Sequence, residues 1–226
     1  MSNESQNPDT EEQVELCADH YDAVYDHYKK AFEGLDHIVL SDFDSNGPPV
    51  NIHVVSPPDA PFRVLLTEGM SVAPMRSPFV NKRFMELSLL VPKRIHFISE
   101  TLLETHPHRW IVEMMRFLAR FPHMHGAVLD SGHSVQADDN PYNSFGENCP
   151  FNAAILLPST TLWDELTSFV TAHGPIRILS ILTLHPDEMT FRIHRGLNAL
   201  MDNIVEGQVT ELLDIDRPNL CPPEEE

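Results

Sequence analysis

The sequence lacks almost every pattern that would tie it to a reaction. No G-x-G-x-x-G, Walker loop, G-x-S-x-G or H-E-x-x-H occurs, which removes the common dinucleotide, phosphate-binding, serine-hydrolase and zinc-peptidase signatures. Cysteine is scarce. Cys17, Cys149 and Cys221 are odd in number, far apart and form no C-x-x-C pair, so neither a disulfide framework nor a thiolate zinc site is indicated. The longest wholly apolar run lies near Ala153–Leu157, far short of the ~20 residues of a membrane span. Met1 to Glu12 is polar and acidic, without the apolar stretch of a secretion signal. Together these absences predict a soluble, cytoplasmic chain.

Positive charge is also in short supply. Fifteen Lys and Arg face 34 Asp and Glu, for a net charge of −19. Such a field repels nucleic acid and anionic membranes and attracts cations and basic proteins. The deficit is uneven: residues 1–50 hold twelve acidic residues, with only Lys29 and Lys30 against them. An isolated acidic run is ordinarily a solvated face, but this concentration raises the case for a basic partner.

What is present is an ordinary globular composition, 42% hydrophobic and 22% charged, on a chain of 226 residues. That length favours one domain with a core large enough to need no staple. Nineteen prolines exceed the usual ~5% and point to much irregular connection. Thr10-Glu11-Glu12-Gln13 reads as a capping box. After it Val14, Cys17, Tyr21, Val24, Tyr25, Tyr28 and Phe32 step by three and four to a stop at Gly34. The Tyr21/Tyr25/Tyr28/Phe32 stripe is expected in the core, and Cys17 beside it as a small core residue.

Val50, Ile52 and Val54 alternate as a strand, Pro57-Pro58-Asp59 turns, and Phe62 to Thr67 returns. Met85, Leu87, Leu89 and Val91 predict a strand buried on one face and ended by Pro92. Pro107 opens a helix carrying Trp110, Ile111, Met114, Phe117, Leu118 and Phe121 inward, with Pro122 as its stop. Asp138 to Pro150 is a polar loop. Phe151 to Leu157 is a strand, Thr160 to Val170 a helix, and Ile176 to Leu184 a strand. Pro186 opens a last helix interrupted at Gly196. The expected architecture is α+β: a single compact domain with a mixed, mainly antiparallel sheet flanked by helices. Its bounds are 11–217, between a disordered acidic N-terminus (1–10) and an acidic tail (218–226).

Chemistry has few footholds. His123 and His125 would share a face if extended, and His133 with Asp130 would complete a metal site. Pro122 and Gly126 make that stretch a turn, so no metal is predicted. Asp42-x-Asp44 and Asp138-Asp139 resemble hard-cation ligands, yet both sit in turns where Asp bonds its own backbone. Cys149 reads as a core thiol. No catalytic residue and no cofactor are assigned.

Two idiosyncratic strings remain: Pro61 to Met75, containing Thr67-x-Gly69-Met70-Ser71 and Pro74-Met75, and Arg120 to His125, leading to Asp130-Ser131-Gly132-His133-Ser134. With Asp19-His20-Tyr21-Asp22 at one end, Leu157-Pro158 after the buried strand, and Asp216-Arg217-Pro218-Asn219 at the other, they fall in the order seen in suppressor-of-fused-like domains. The chain resembles that family from about Tyr21 to Asn219. Bacterial relatives tend to place aromatic and threonine residues after Phe-Pro-His, where this chain has Gly126-Ala127-Val128, so any ligand read there differs. The animal regulator of hedgehog signalling carries a second domain, for which this chain has no room.

For single-domain bacterial members the resemblance implies a non-enzymatic immunity protein that binds and neutralises a toxin domain, often a nuclease. The acidic field suits that role, because nucleases need basic surfaces to hold phosphate. A regulatory or scaffold protein sequestering a host partner is the alternative, and a histidine-dependent metalloenzyme the second. Partner-binding candidates stand in or beside the family-like strings, where loops carry binding: Glu68, Met70, Asp130, His133, Asp138 and Asp139.

Overall fold

The computed structural model describes residues 16–43, 47–95, 97, 107–140 and 143–221. The Thr10–Gln13 capping box, Asp44 and the end of the acidic tail lie outside them. In chain order the elements are α1 (Asp19–Ala31), β1 (Asp36–Leu40), β2 (Asn51–Ser56), β3 (Phe62–Glu68), β4 (Phe84–Pro92), α2 (Arg109–His125), β5 (Ser134–Gln136), β6 (Ala153–Leu157), α3 (Asp164–Thr167), β7 (Ser168–Thr171), β8 (Gly174–Leu184) and α4 (Pro186–Glu206). Short 3-10 turns occupy Met70–Val72 and Val80–Lys82.

The strands form one sheet in the order β1-β2-β3-β4-β8-β6-β5, with β7 pairing the first half of β8. Only β4 and β8 run parallel, in the register Phe84↔Ile176 to Ser88↔Ser180. The sheet is therefore mixed and mainly antiparallel, in a single α+β domain.

Alternation of side chains along each strand divides the core. One face sends Ile52, Val54, Leu65, Leu87, Leu89, Ala154, Leu156 and Ile181 against Trp110, Ile111, Met114, Met115 and Leu118 of α2. The opposite face is shared. Val55, Val64, Leu66, Leu90, Ile176 and Ile178 pack with Val24, Tyr28 and Phe32 near α1. Ala153, Ile155, Leu182 and Leu184 pack with Met189, Leu200 and Ile204 of α4. Each wholly buried Leu or Ile stabilises the fold by about 2 kcal/mol.

Four expectations change. In α1 the buried line is His20, Val24 and Tyr28, with Phe32 just beyond, whereas Tyr25 is 41% exposed and Tyr21 donates its hydroxyl to Pro49 O at 2.7 Å. Tyr21 and Tyr25 lie one residue, or 100°, around the helix from that line. β4 is buried on both faces along its whole length, Glu86 and Ser88 included. Helix α2 runs through Pro122 to His125 and ends at Gly126 in the left-handed conformation; proline in the last turn costs one N–H bond and does not break a helix that is about to end. Finally, only Asp164–Thr167 is helical in the stretch 160–170, because Phe169 and Val170 pair with Ile176 and Pro175 of β8.

Candidate partner-binding site

The first string is built around one buried carboxylate. Glu86 of β4 is fully buried. Its Oε2 accepts from Thr67 Oγ1 at 2.6 Å, and its Oε1 from Gly69 N at 3.1 Å, Ser71 N at 2.9 Å and Ser71 Oγ at 2.7 Å. Thr67 Oγ1 in turn accepts from Leu87 N at 2.8 Å. Burial drives the Glu86 pKa up to about 7, against the pull of those four donors. Gly69 makes the bend possible. Its φ is +122°, and a Cβ there would lie 2.1 Å from Pro49 O, so neither conformation nor space admits another residue.

The carbonyls of the same string are taken from outside. Tyr28 Oη donates to Thr67 O at 2.8 Å, and Cys17 N to Val72 O at 2.8 Å. His20 Nδ1 lies 2.7 Å from Ser71 O and His123 Nε2 lies 3.0 Å from Met70 O. The last contact joins the two idiosyncratic strings, 53 residues apart in sequence. Met75 makes a second joint, its Sδ accepting from Leu129 N at 3.3 Å.

Between the strings lies a surface cleft of about 430 Å³. Ala73, Pro74 and Met75 form one wall, and Pro122, His123 and Met124 the other, with Leu16 and Arg76 at the rim. Met124 is 68% and Leu16 55% exposed. An exposed apolar surface with a cationic rim is of the kind that a partner can cover.

The sequence-predicted residues do not converge there. Glu68 and Met70 are 5% and 2% exposed, which withdraws both side chains from any partner. Glu68 accepts from Asn51 Nδ2 at 2.6 Å. It also stands 3.3 Å from the buried His53 Nε2, out of hydrogen-bond alignment. Asp130 is held by Lys82 at 2.5 Å and Arg177 at 2.6 Å. Partial burial opposes its ionisation, but those two cations outweigh it and bring its pKa well below the usual range. His133 turns back to Val128 O at 3.1 Å, a local bond. Asp138 and Asp139 are exposed; Asp138 accepts from Asn143 Nδ2 at 2.7 Å and Asn140 N at 3.1 Å in a turn of its own. Neither pairs with a cation among the described residues.

The histidine cluster weighed from sequence does not assemble. On helix α2, His123 and His125 point about 160° apart; His123 bonds Met70 O, and the His125 ring packs 4.5 Å from that of Phe121. Asp42 is taken by Arg120 and by Val50 N. Cys149 is buried, and burial lifts its thiol pKa to about 11, so it has no nucleophilic character at neutral pH.

The last family-like string is also structural. Arg217 grips Glu188 with two bonds of 2.6 and 2.5 Å, donates to Thr183 O at 2.8 Å, and lies over the Phe151 ring. Asn219 Nδ2 donates to Asp187 Oδ2 at 2.7 Å. This pins the chain end to the start of α4. Glu86 and Glu188 are the two organising residues that sequence reasoning missed. The available signal was an acidic residue inside an apolar strand, and a Glu three residues past the histidine that caps α4.

The model of the family described as Suppressor of fused protein matches residues 46–218, and the chain belongs to that family. It shares its fold with a solved Sufu–Fu complex, at TM-score 0.64 and 13% identity, covering 92% of this chain and 93% of the other. It is also similar to Drosophila Suppressor of Fused, at TM-score 0.51 and 16% identity, covering 96% of this chain and 54% of that one. No curated protein matches in sequence.

Proposed function

We propose that this chain is a non-enzymatic immunity protein that binds and neutralises a toxin domain with a basic surface. The observation that carries the reading is the junction of the two family-like strings at His123 and Met70, which leaves an apolar cleft at the surface. A structural neighbour that forms a complex with another protein supports the binding half of the reading. The net charge of −19 supports the basic partner, since a strongly acidic surface speeds capture of a cationic one and suppresses acidic competitors. In this reading Met124 and Leu16 anchor the contact, and Asp138 and Asp139, which pair with no cation among the described residues, steer it. No helix among the described residues is long and apolar enough to cross a membrane, which fits work in solution.

Affinity capture of the full chain from its native cells, read by mass spectrometry, tests this. Recovery of a basic toxin domain whose activity falls on titration with this protein supports immunity. Recovery of a constitutive host protein with no toxic activity assigns the regulatory role instead.

A further inference from the structure

Three residues that the binding role does not use meet at the N-terminal end of α1, directly after Leu16 of the cleft rim. Cys17 precedes the helix, His20 lies in its first turn, and His173 occupies the tight turn between β7 and β8. Each offers one ligand atom, and the three atoms lie within 4.8 Å of one another, the one such group among the described residues. Cys17 and His20 are 8% and 0% exposed, whereas the His173 side chain is 43% exposed.

Hydrogen bonding orients both imidazoles. His20 Nδ1 is 2.7 Å from Ser71 O, and a carbonyl only accepts, so Nδ1 carries the proton and Nε2 the lone pair. His173 Nε2 lies 3.1 Å from both oxygens of Asp19, which likewise places its proton there and leaves Nδ1 as the lone pair. A histidine whose second nitrogen is held by a carbonyl or carboxylate is the arrangement that metal-ligating histidines use. The nearest partner of His20 Nε2, Thr171 Oγ1 at 2.9 Å, is equally close to Gly174 O, and one hydroxyl proton cannot serve both.

We infer that Cys17, His20 and His173 form a binding site for a thiophilic divalent cation, Zn²⁺ above all, with Asp19 as the carboxylate that orients His173. One sulfur and two nitrogens can supply three of the four positions of a tetrahedral centre, with the half-exposed His173 on its solvent side. Hard cations such as Mg²⁺ and Ca²⁺ prefer oxygen and are not selected. Bound metal ties the start of α1 to the β7–β8 turn, two segments more than 150 residues apart, and so stabilises the folded state by mass action. The inference is independent of the partner.

The test is titration of tag-free, chelator-treated full-length protein with Co²⁺ as a spectroscopic probe, then displacement by Zn²⁺. One equivalent with tetrahedral d–d bands and a thiolate charge-transfer band is expected, with Zn²⁺ raising the melting temperature. H173A, at an exposed turn, should weaken binding by at least about 10-fold, the scale on which loss of even an outer-shell partner acts. C17S should remove the charge-transfer band. Absence of saturable binding, or binding unchanged in both variants, overturns the site.

Discussion

Glu86 and Ser71 are joined twice, through the backbone N–H at 2.9 Å and the hydroxyl at 2.7 Å. The family-like Thr67–Ser71 string is therefore a shell of donors folded around one carboxylate on the neighbouring strand. Both walls of the cleft depend on it, because Met70 O, fixed by that shell, is what His123 engages.

This arrangement predicts a pH dependence of stability. The Glu86 pKa rises from 4.5 in the free side chain to about 7 in the fold, chiefly through burial. Between those values the folded protein keeps a proton that the unfolded chain has released, so its contribution is complete below pH 4.5 and lost as pH climbs through 7. Replacing Glu86 by Gln removes the titration. Urea unfolding across pH 4.5–7.5 should show wild type losing on the order of 3 kcal/mol relative to E86Q. Parallel curves for the two proteins would falsify the assignment.

A second prediction concerns Arg217 and Glu188, buried at 8% and 0% exposure. Burial opposes ionisation of Glu188, and Arg217 outweighs it, so the carboxyl pKa is lowered. Its contribution is present above the unfolded value of 4.5 and lost as pH falls through the lowered one. R217M leaves a buried charge without a partner and should cost about 3–5 kcal/mol at pH 7. That deficit should shrink at pH 4, where Glu188 takes up a proton in the variant. Chemical denaturation at the two pH values decides; a deficit that is small, or the same at both, speaks against the pair as the anchor of the chain end.

Much of the scaffold could be read from periodicity. The three-and-four spacing of Trp110, Ile111, Met114 and Leu118 located α2, and apolar runs located β3, β4, β6 and β8. β1 escaped because Asp36–Leu40 is an edge strand with burial confined to Leu40 and part of His37, and its apolar residues Ile38, Val39 and Leu40 are consecutive rather than alternating. β7 escaped because Ser168–Thr171 depends on pairing with β8 rather than on its own pattern. The cleft was half legible: both strings were visible, but not which side chains face in. Glu68 and Met70 read as loop residues, while the turn around Glu86 pulls them into the interior. The Cys17–His20–His173 group was invisible, since the β7–β8 turn brings His173 home from 153 residues away.

The cleft makes a third prediction. Met124 exposes most of its side chain at one wall without supporting the core. M124D should leave the melting temperature within a few degrees of wild type, because exposed substitutions change stability by roughly 0.5 kcal/mol or less. It should weaken the partner complex by about 2 kcal/mol, or some 30-fold, as loss of an apolar anchor does. Calorimetric titration with the captured partner measures this. Undiminished affinity moves the contact away from the two strings.

The last prediction separates steering from anchoring. Asp138 and Asp139 are exposed and carry no compensating cation among the described residues, so they act on an approaching partner through the long-range field. That field is screened as salt shortens the Debye length from about 10 Å at 0.1 M to about 3 Å at 1 M. Association with a basic partner should slow at least tenfold over that range, while dissociation changes far less. Reversing both charges, D138K/D139K, should slow association further at low salt and converge on wild type at 1 M. M124D should show the opposite split, a faster off-rate with a near-normal on-rate. Stopped-flow or surface-based kinetics on the same complex measures all four. Should the on-rate ignore salt, or the charge-reversed variant alter only dissociation, the acidic field has no part in capture and the apolar cleft alone must account for recognition.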